Sequence, residues 1–233
     1  MSVPNRIDPE FFAGLERATS FYIIRHGETT SNEQRRVQGL IDAPLNERGR
    51  AQAAAVAQWF REKPIRRVLC SPLSRASESA AILAREAGLP EPVVEPALME
   101  VDTGRFSGLT LDEARQRYPV DYERFAWMSW DGVEDAERAE SIALRARASW
   151  AALKTAAAES GGDVLAVSHG GTMQFIVRVT FGCSTWMPLL STGNCGIFEL
   201  SVQPTGAGRP AYLHWKHINL VPGDPEGRVP PVF

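Results

Sequence analysis

Short apolar runs alternate with longer amphipathic segments along most of this chain. The runs at 20–24, 66–70 and 163–168 contain many bulky or β-branched residues and predict buried strands. Apolar residues at helical spacing predict helices at 47–63, 74–87, 135–159 and 171–182. Two later strands, 196–202 and 211–217, predict a hairpin. Strands that alternate with helices indicate an α/β layered fold with a mainly parallel sheet.

Length and composition are those of an ordinary globular protein. The chain has 233 residues, of which 44% are hydrophobic and 23% are charged, enough to build one sizeable core. We therefore expect a single domain over residues 1–233. Residues 1–19 precede the first strand and predict an N-terminal arm packed on the body. Residues 221–233 are rich in proline and glycine and predict a flexible tail.

Charge, cysteine content and hydropathy indicate which partners and which cellular location to expect. A net charge of −3 gives no general attraction to nucleic acid or to an anionic membrane, so neither is expected as a partner. The three cysteines, Cys70, Cys183 and Cys195, have no motif spacing and fit reduced thiols. No apolar run reaches the length of a membrane span, and the N-terminus lacks the layout of a signal peptide. We expect a cytoplasmic location.

Histidines and arginines follow the predicted strands. The first strand ends at Arg25-His26, the strand at 163–168 ends at His169-Gly170, and Arg75 opens the helix after the strand at 66–70. Carboxyl ends of parallel strands share one edge of a sheet, so these residues should converge. Arginine suits phosphate, and an imidazole beside it can attack phosphorus. The amide of Gly170 at a helix start would add a phosphate donor.

Each of these features also has a plainer interpretation. A lone Arg-His-Gly tripeptide is most often a loop with an incidental surface histidine. Arg75 could be exposed, but a cation in the positive first turn of a helix favours an anion partner, such as phosphate. The predicted helix at 135–159 carries three further arginines, and the simplest interpretation is that they form a solvent-exposed face. They are Arg138, Arg145 and Arg147.

Two segments near these motifs are open to two interpretations each. The polar, glycine- and proline-containing stretch 33–45, with Gln38 and Gly39, is either a surface connection or a loop that lines a substrate pocket. An aromatic cluster is most often packing, and the alternative is a wall over the active site. This cluster consists of Phe125, Trp127, Met128 and Trp130.

Taken together and in this order, the motifs resemble the histidine phosphatase superfamily, which includes the cofactor-dependent phosphoglycerate mutases. The resemblance extends over about residues 21–220. It implies a three-layer sandwich with a mainly parallel central sheet flanked by helices. It also implies that His26 is the phosphorylated nucleophile, that Glu100 is the proton donor, and that Arg25, Arg75 and His169 surround the transferring phosphoryl group.

The resemblance assigns one more phosphate ligand and narrows the activity. Asn32 matches the family asparagine that contacts phosphate. Glu100 is followed by Val-Asp-Thr-Gly, and His169 lies only 69 residues later, which favours a phosphatase over a mutase. At Phe106 and Ser107 the chain departs from the tryptophan and glutamate common in phosphatase relatives. A non-catalytic phosphate-binding regulatory module is the third alternative, but binding alone needs no proton donor.

These residues predict a two-step hydrolysis of a small-molecule phosphate ester. Neutral His26 attacks phosphorus while Glu100 protonates the leaving alcohol, and two guanidiniums with an imidazolium on His169 stabilise the equatorial oxygens. Water then hydrolyses the phosphohistidine, with Glu100 as the base. No cofactor and no metal is expected, since neither His-Glu-x-x-His nor Cys-x-x-Cys occurs. The substrate and the oligomeric state stay open, with a homodimer among the alternatives.

Overall fold

A mixed sheet of six strands forms the centre of the molecule. The computed structural model describes residues 11–183, 189–206 and 211–222. The strands are β1 (Thr19–Arg25), β2 (Ile65–Cys70), β3 (Val93–Val94), β4 (Asp163–Ser168), β5 (Ile197–Gln203) and β6 (Tyr212–Leu220). Their spatial order is β3-β2-β4-β1-β5-β6. The first four of these run parallel, while β5 and β6 pair antiparallel. The predicted α/β class and mainly parallel sheet are confirmed.

Helices cover both faces of the sheet. They are α1 (Thr30–Glu33), α2 (Glu47–Phe60), α3 (Ser74–Ala87), α4 (Leu111–Arg117), α5 (Pro119–Met128), α6 (Ala139–Ser160) and α7 (Gly170–Thr180). Short 3-10 turns occupy Pro96–Leu98, Gly104–Phe106 and Ser129–Gly132. The helix ends follow the local sequence. Asn46 caps α2 through a side-chain bond to the amide of Gly49, and Gly88 closes α3 at φ 68°.

Alternating side chains on the strands divide the core into two layers. Phe21 and Ile23 of β1 face a cluster that contains Trp150 of α6. Tyr22 and Ile24 face the opposite cluster, formed with α2 and α3. Each large apolar side chain buried in this way contributes about 1.5–3 kcal/mol relative to exposure. A three-layer arrangement of helix, sheet and helix results, as the family resemblance implied.

The N-terminal segment that precedes β1 joins the first of these clusters. Phe12 and Leu15 are buried there, and the ring of Phe12 lies 5.3 Å from that of Trp150. The rest of the predicted arm, residues 1–10, lies outside the described residues, as does most of the predicted tail, residues 223–233. Within the described ranges, no helix has the length and apolar character needed to cross a membrane.

The predicted start of the long helix, at residue 135, was wrong. Residues before Ala139 pair instead with the segment after Glu100: the amide of Glu137 donates to Asp102 O at 2.9 Å, and the bridge Thr103–Ala136 lies beside it. The helix begins at Ala139, whose amide donates to the carboxylate of Asp131 at 2.7 Å. Because residues 134–137 pair with a distant segment, the helix starts four residues later in the sequence than its apolar pattern predicts.

Candidate active site

Strand register brings the two histidine motifs together. β1 and β4 are neighbours in parallel register, with Arg25 opposite Ser168. The next residue of each strand is a histidine, and the amide of His26 donates to Ser168 O at 3.0 Å. The two imidazole rings consequently lie with their centroids 5.1 Å apart. This is the convergence that the strand-end argument predicted.

A single hydrogen bond determines which nitrogen of His26 can react. His26 Nδ1 lies 2.7 Å from the carbonyl oxygen of Gly27. A carbonyl only accepts, so Nδ1 carries the proton and Nε2 carries the lone pair. His26 is buried and lines the cleft. Burial, together with the charges of Arg75 and Arg25, lowers the pKa of His26 well below 6.5, so the ring is neutral at neutral pH.

His169 is held by protein groups at both ring nitrogens. Arg75 Nε donates to His169 Nδ1 at 3.2 Å, and His169 Nε2 lies 2.7 Å from Ser71 Oγ. Because Nδ1 accepts, the ring proton of the neutral form sits on Nε2 and is donated to Ser71. Burial, then His26 and the arginines, lower the pKa of His169 well below 6.5. A neutral ring disagrees with the expected imidazolium at His169.

Two buried guanidiniums supply the positive charge instead. Arg25 Nη1 donates to Thr192 O at 2.5 Å. Arg75 donates to the carbonyls of Ile41 at 2.7 Å and Gly39 at 2.8 Å. Burial lowers the pKa of Arg25 to about 10, with the Glu100 carboxylate opposing this shift, and burial also lowers the pKa of Arg75. Both side chains therefore stay charged at neutral pH.

Arg75 lies in the first turn of α3 but is not exposed. Its relative exposure is 0%, so the interpretation of a side chain bent into water was wrong. Two carbonyls and the lone pair of His169 occupy three of its five N–H groups, which offsets part of the cost of burial. An anion at the cleft would offset more of it, as the helix-start argument predicted.

Glu100 lies against the start of α7. Its Oε1 accepts from the amides of Val101 and Thr172, each at 2.9 Å, and from Thr172 Oγ1 at 3.3 Å. Among the described residues, its Oε2 accepts one longer bond, from the Gly171 amide at 3.2 Å. The carboxylate is thus fixed at a positive helix end and lines the same cleft as His26.

Asn32 is buried beside the histidine motif. Its Oδ1 accepts from Thr29 N and from Asn194 Nδ2, both at 3.2 Å. Its Nδ2 is buried and has no hydrogen-bond partner among the described residues. An unsatisfied buried donor is costly, and an oxyanion would satisfy it.

Gln38 and Gly39, the predicted substrate-loop residues, line the cleft. Gln38 Oε1 accepts from Thr29 Oγ1 at 3.0 Å, while the carbonyl of Gly39 holds Arg75. The loop that contains them therefore supports the site as well as lining it. Gly170, the first residue of α7, also lines the cleft, and a Cβ there would lie 2.9 Å from Thr192 Oγ1 and 3.5 Å from Arg25 Nε. Its lack of a side chain lets Arg25 approach the helix start.

Gly27 is needed for a close approach and not for an unusual turn. A Cβ at Gly27 would lie 2.3 Å from the carbonyl oxygen of Gly49, and a Cβ at Gly49 would lie 2.0 Å from Glu28 O. Neither glycine has a positive φ. The start of α2 therefore packs directly on the backbone that carries His26.

The cleft has a charged floor and a largely apolar mouth. Its volume is about 720 Å³. Arg25, His26, Arg75 and Glu100 lie at the floor, and side chains from α5 and α7 form the mouth. Phe125, Trp127, Met128 and Trp130 all line it, so the aromatic cluster forms a wall of this cleft. Phe125 and Trp130 also pack on the small core cluster that contains Phe106. The aromatic cluster therefore serves partly as packing and partly as a wall of the cleft.

Several supporting residues carry no sequence signal. Ser71 Oγ lies 2.7 Å from His169 Nε2, Asn194 donates to His26 O at 3.2 Å, and Thr192 O accepts from Arg25. Ser71 follows β2, whereas Thr192 and Asn194 belong to one short segment before β5. Only Ser71 could have been suspected, because it directly follows the strand end at Cys70.

Arg145 was misinterpreted as part of a solvated face. It pairs with Glu137 at 2.7 Å and donates to the carbonyls of Met99 and Glu100, the latter at 3.4 Å. Its side chain is only 18% exposed. Arg145 therefore ties α6 to the segment that carries Glu100, and Thr172 of α7 lies within 3.4 Å of the same guanidinium.

Comparison with known proteins places this geometry in a family. A model of the histidine phosphatase superfamily (branch 1) matches residues 21–215, most of the chain and all of the motif residues described above. The chain belongs to the histidine phosphatase superfamily. In this superfamily member, the described residues contain no group of three or more His, Cys, Asp or Glu side chains placed to hold a metal ion.

Relatives of this histidine phosphatase include phosphatases and a mutase. It is 36% identical over 166 residues to the metal-independent phosphoserine phosphatase of Arabidopsis thaliana, covering 70% of this chain and 69% of that protein. It is 30% identical over 185 residues to the probable phosphoglycerate mutase GpmB of Enterobacter sp., covering 78% and 84%. A solved mycobacterial glucosyl-3-phosphoglycerate phosphatase superimposes with a TM-score of 0.72 at 27% identity, covering 87% and 99%.

Proposed function

We propose that this protein is a phosphomonoesterase that hydrolyses a small-molecule phosphate ester through a phosphohistidine on His26. One observation carries the proposal: His26 is neutral, has its Nδ1 proton bonded to Gly27 O, and lies with Arg25 and Arg75 at the floor of one cleft. An unprotonated Nε2 beside two fixed cations suits attack on a phosphate dianion. The phosphatases among the relatives support the same reaction class.

In the first step, His26 Nε2 forms a bond to phosphorus as the bond to the leaving oxygen breaks. Arg25, Arg75, the amide of Gly170 and Nδ2 of Asn32 stabilise the charge on the equatorial oxygens. Glu100 supplies the proton to the leaving alcohol. Its Oε2 is the better placed oxygen to carry that proton, because among the described residues Oε1 accepts two amide hydrogen bonds at 2.9 Å and Oε2 one longer bond at 3.2 Å.

In the second step, water replaces the alcohol. Glu100, now a carboxylate, takes a proton from water as the water oxygen attacks the phosphohistidine, and the bond to His26 Nε2 breaks with release of phosphate. His169 acts beside this centre by holding Arg75 Nε.

A mutase would pass the phosphoryl group to a second hydroxyl instead of to water. The relative named as a probable phosphoglycerate mutase keeps this reaction as a second candidate. The short connection of 69 residues between Glu100 and His169 favours the phosphatase. A cytoplasmic location is part of the proposal, and the free thiols of Cys70, Cys183 and Cys195 fit a reducing compartment.

Release of inorganic phosphate tests the proposal directly. We expect the purified protein to release phosphate from an alkyl phosphate in the presence of EDTA, because guanidiniums supply the charge stabilisation that metals supply elsewhere. His26→Asn should abolish release, while His214→Asn, which removes an exposed histidine on β6, should leave it unchanged. Loss of activity in EDTA with recovery on adding a divalent ion would contradict the metal-free reaction. Interconversion of 2- and 3-phosphoglycerate faster than phosphate release would favour the mutase.

A further inference from the structure

The cleft is much larger than the phosphoryl group that its floor would hold. Its volume of about 720 Å³ lies in the range of pockets that enclose a whole drug-sized molecule. The charged groups lie together at the floor, where they surround His26. The remaining volume is therefore available to the alcohol part of the ester, and the side chains at the mouth define which alcohols fit.

An aromatic wall from α5 and the turn after it forms one side of the mouth. The rings of Phe125 and Trp130 lie 4.7 Å apart, and Phe125 lies 5.8 Å from the buried ring of Phe106. These contacts anchor the wall on the small core cluster around Phe106. Trp127 is different, because it lines the cleft and is still 90% exposed. A large apolar ring exposed at a cleft mouth gains free energy when a ligand covers it.

Some polar groups at the same mouth are engaged by the protein itself. The carboxylate of Asp131 accepts from the amide of Ala139 at 2.7 Å. The amide of Gln174 both donates to and accepts from the backbone of Leu190, at 2.6 and 3.0 Å. The guanidinium of Arg178 lies 5.1 Å over the ring of Phe175. Stacking on a ring does not use the N–H donors of the Arg178 guanidinium, so the selection of the alcohol rests on the apolar wall and not on a lack of polar partners.

We infer that the preferred substrates are phosphomonoesters of an alcohol with a sizeable aromatic or aliphatic part, which packs against Trp127 and Phe125. This inference rests on the proposed function and narrows its substrate class. It separates this chain from its phosphoserine phosphatase relative, whose named substrate is a small zwitterion. Trp127 is then a specificity residue: it contacts the alcohol and takes no part in phosphoryl transfer.

A series of straight-chain alkyl phosphates tests the inference. Ethyl, butyl and hexyl phosphate have leaving alcohols of nearly equal acidity, so differences in kcat/KM report contacts of the alkyl chain. We expect kcat/KM to rise with length, by about threefold to fourfold per methylene where burial is complete. Hexyl phosphate should also exceed O-phosphoserine.

Two single substitutions show where the alkyl chain binds. Trp127→Ala should flatten the dependence of kcat/KM on chain length. A ring that is 90% exposed can be removed without loss of fold. Tyr212→Ala removes another exposed aromatic ring, 63% exposed on β6, and should keep the wild-type dependence. Thermal unfolding of both variants checks their fold.

The possible failures are distinguishable. If ethyl phosphate and phosphoserine are hydrolysed and the length dependence is flat, or phosphoserine is preferred, the inference is overturned and the proposed function stands. A length dependence unchanged in Trp127→Ala also overturns it. If no phosphomonoester is hydrolysed, the proposed function fails, and the inference fails with it.

Discussion

At His26, one backbone hydrogen bond and two neighbouring charges set the chemistry of the ring. The bond to Gly27 O leaves the lone pair on Nε2, and burial with Arg75 and Arg25 keeps the ring neutral. A neutral imidazole is the form that can attack phosphorus. The same burial has a cost, since a histidine that cannot take up a proton in the folded state makes folding depend on pH.

We predict that this cost appears as a loss of stability in mild acid. In the folded protein the pKa values of His26 and His169 lie well below 6.5, whereas in the unfolded chain they are about 6.5. Below about pH 6.5 the unfolded chain therefore binds more protons, and the free energy of unfolding falls as pH falls, by up to about 1.4 kcal/mol per pH unit for each histidine. Above that pH their contribution is complete.

Urea unfolding between about pH 7.5 and about pH 5.5 measures this loss. His26→Gln should lose less stability over this interval than the wild type, because it carries one buried histidine fewer. His214→Gln removes an exposed histidine instead and should follow the wild type. An identical pH dependence in His26→Gln and the wild type would show that His26 titrates alike in the folded and unfolded states.

At the scale of elements, α6 and α7 position the proton donor. The start of α7 binds the Glu100 carboxylate through the amides of Gly171 and Thr172. From α6, Arg145 holds the carbonyls of Met99 and Glu100 while it pairs with Glu137. The segment with Glu100 is thus fixed from two sides, and a loss of either contact should misplace the carboxylate relative to the leaving oxygen.

We predict that Arg145→Ala slows esters with poor leaving groups in particular. Hydrolysis of an alkyl phosphate should fall by about 10- to 100-fold, because its alkoxide needs a well-placed proton donor. Hydrolysis of a nitrophenyl phosphate should change much less. Glu100→Gln should show the same contrast more strongly, and Arg145→Lys should restore part of the rate.

Arg147→Ala is the matched control for Arg145, since this arginine lies on the same helix but is exposed and contacts the ring of Phe11. Its rates for both kinds of ester should equal those of the wild type. Equal slowing of alkyl and aryl phosphates in Arg145→Ala would assign Arg145 a purely structural role.

Residues that a local sequence pattern marks were predicted from the sequence. Arg25, His26, His169 and Arg75 were found because each follows an apolar strand at a sheet edge that parallel strands must share. Contacts from distant segments had no such signal. Arg145 has the spacing of a surface arginine, yet it is bound by carbonyls about 45 residues earlier in the chain, and the helix start at 135 was wrong because 134–137 pairs with 102–105.

Histidine tautomers were also beyond prediction from sequence. The tautomer of His169 depends on Arg75 of α3, which donates to Nδ1 and leaves Nε2 to bond Ser71, the residue after β2. No pattern in the chain indicates that both ring nitrogens are occupied. The roles assigned to the site residues therefore stay predictions. Most of these residues line one cleft, while His169 and Asn32 are buried beside it and do not line it.

For the whole molecule, the fold creates a local positive site in a weakly acidic protein. The chain has a net charge of −3, whereas two guanidiniums face one carboxylate at the floor of the cleft. The parallel register of β2, β4 and β1 places Ser71, His169 and His26 side by side, at the ends of three adjacent strands. The fold therefore concentrates positive charge beside the nucleophile, where it attracts a phosphate ester.

Detection of the covalent intermediate tests the central claim most directly. After rapid quenching with a ³²P-labelled ester, wild-type protein should carry label that is labile in acid and stable in base, because phosphohistidine is a phosphoramidate and not an ester. His26→Ala should carry none, and His214→Ala should carry as much as the wild type. Label that persists on His26→Ala, or label that is stable in acid and labile in base, would contradict the assignment of His26 as the nucleophile.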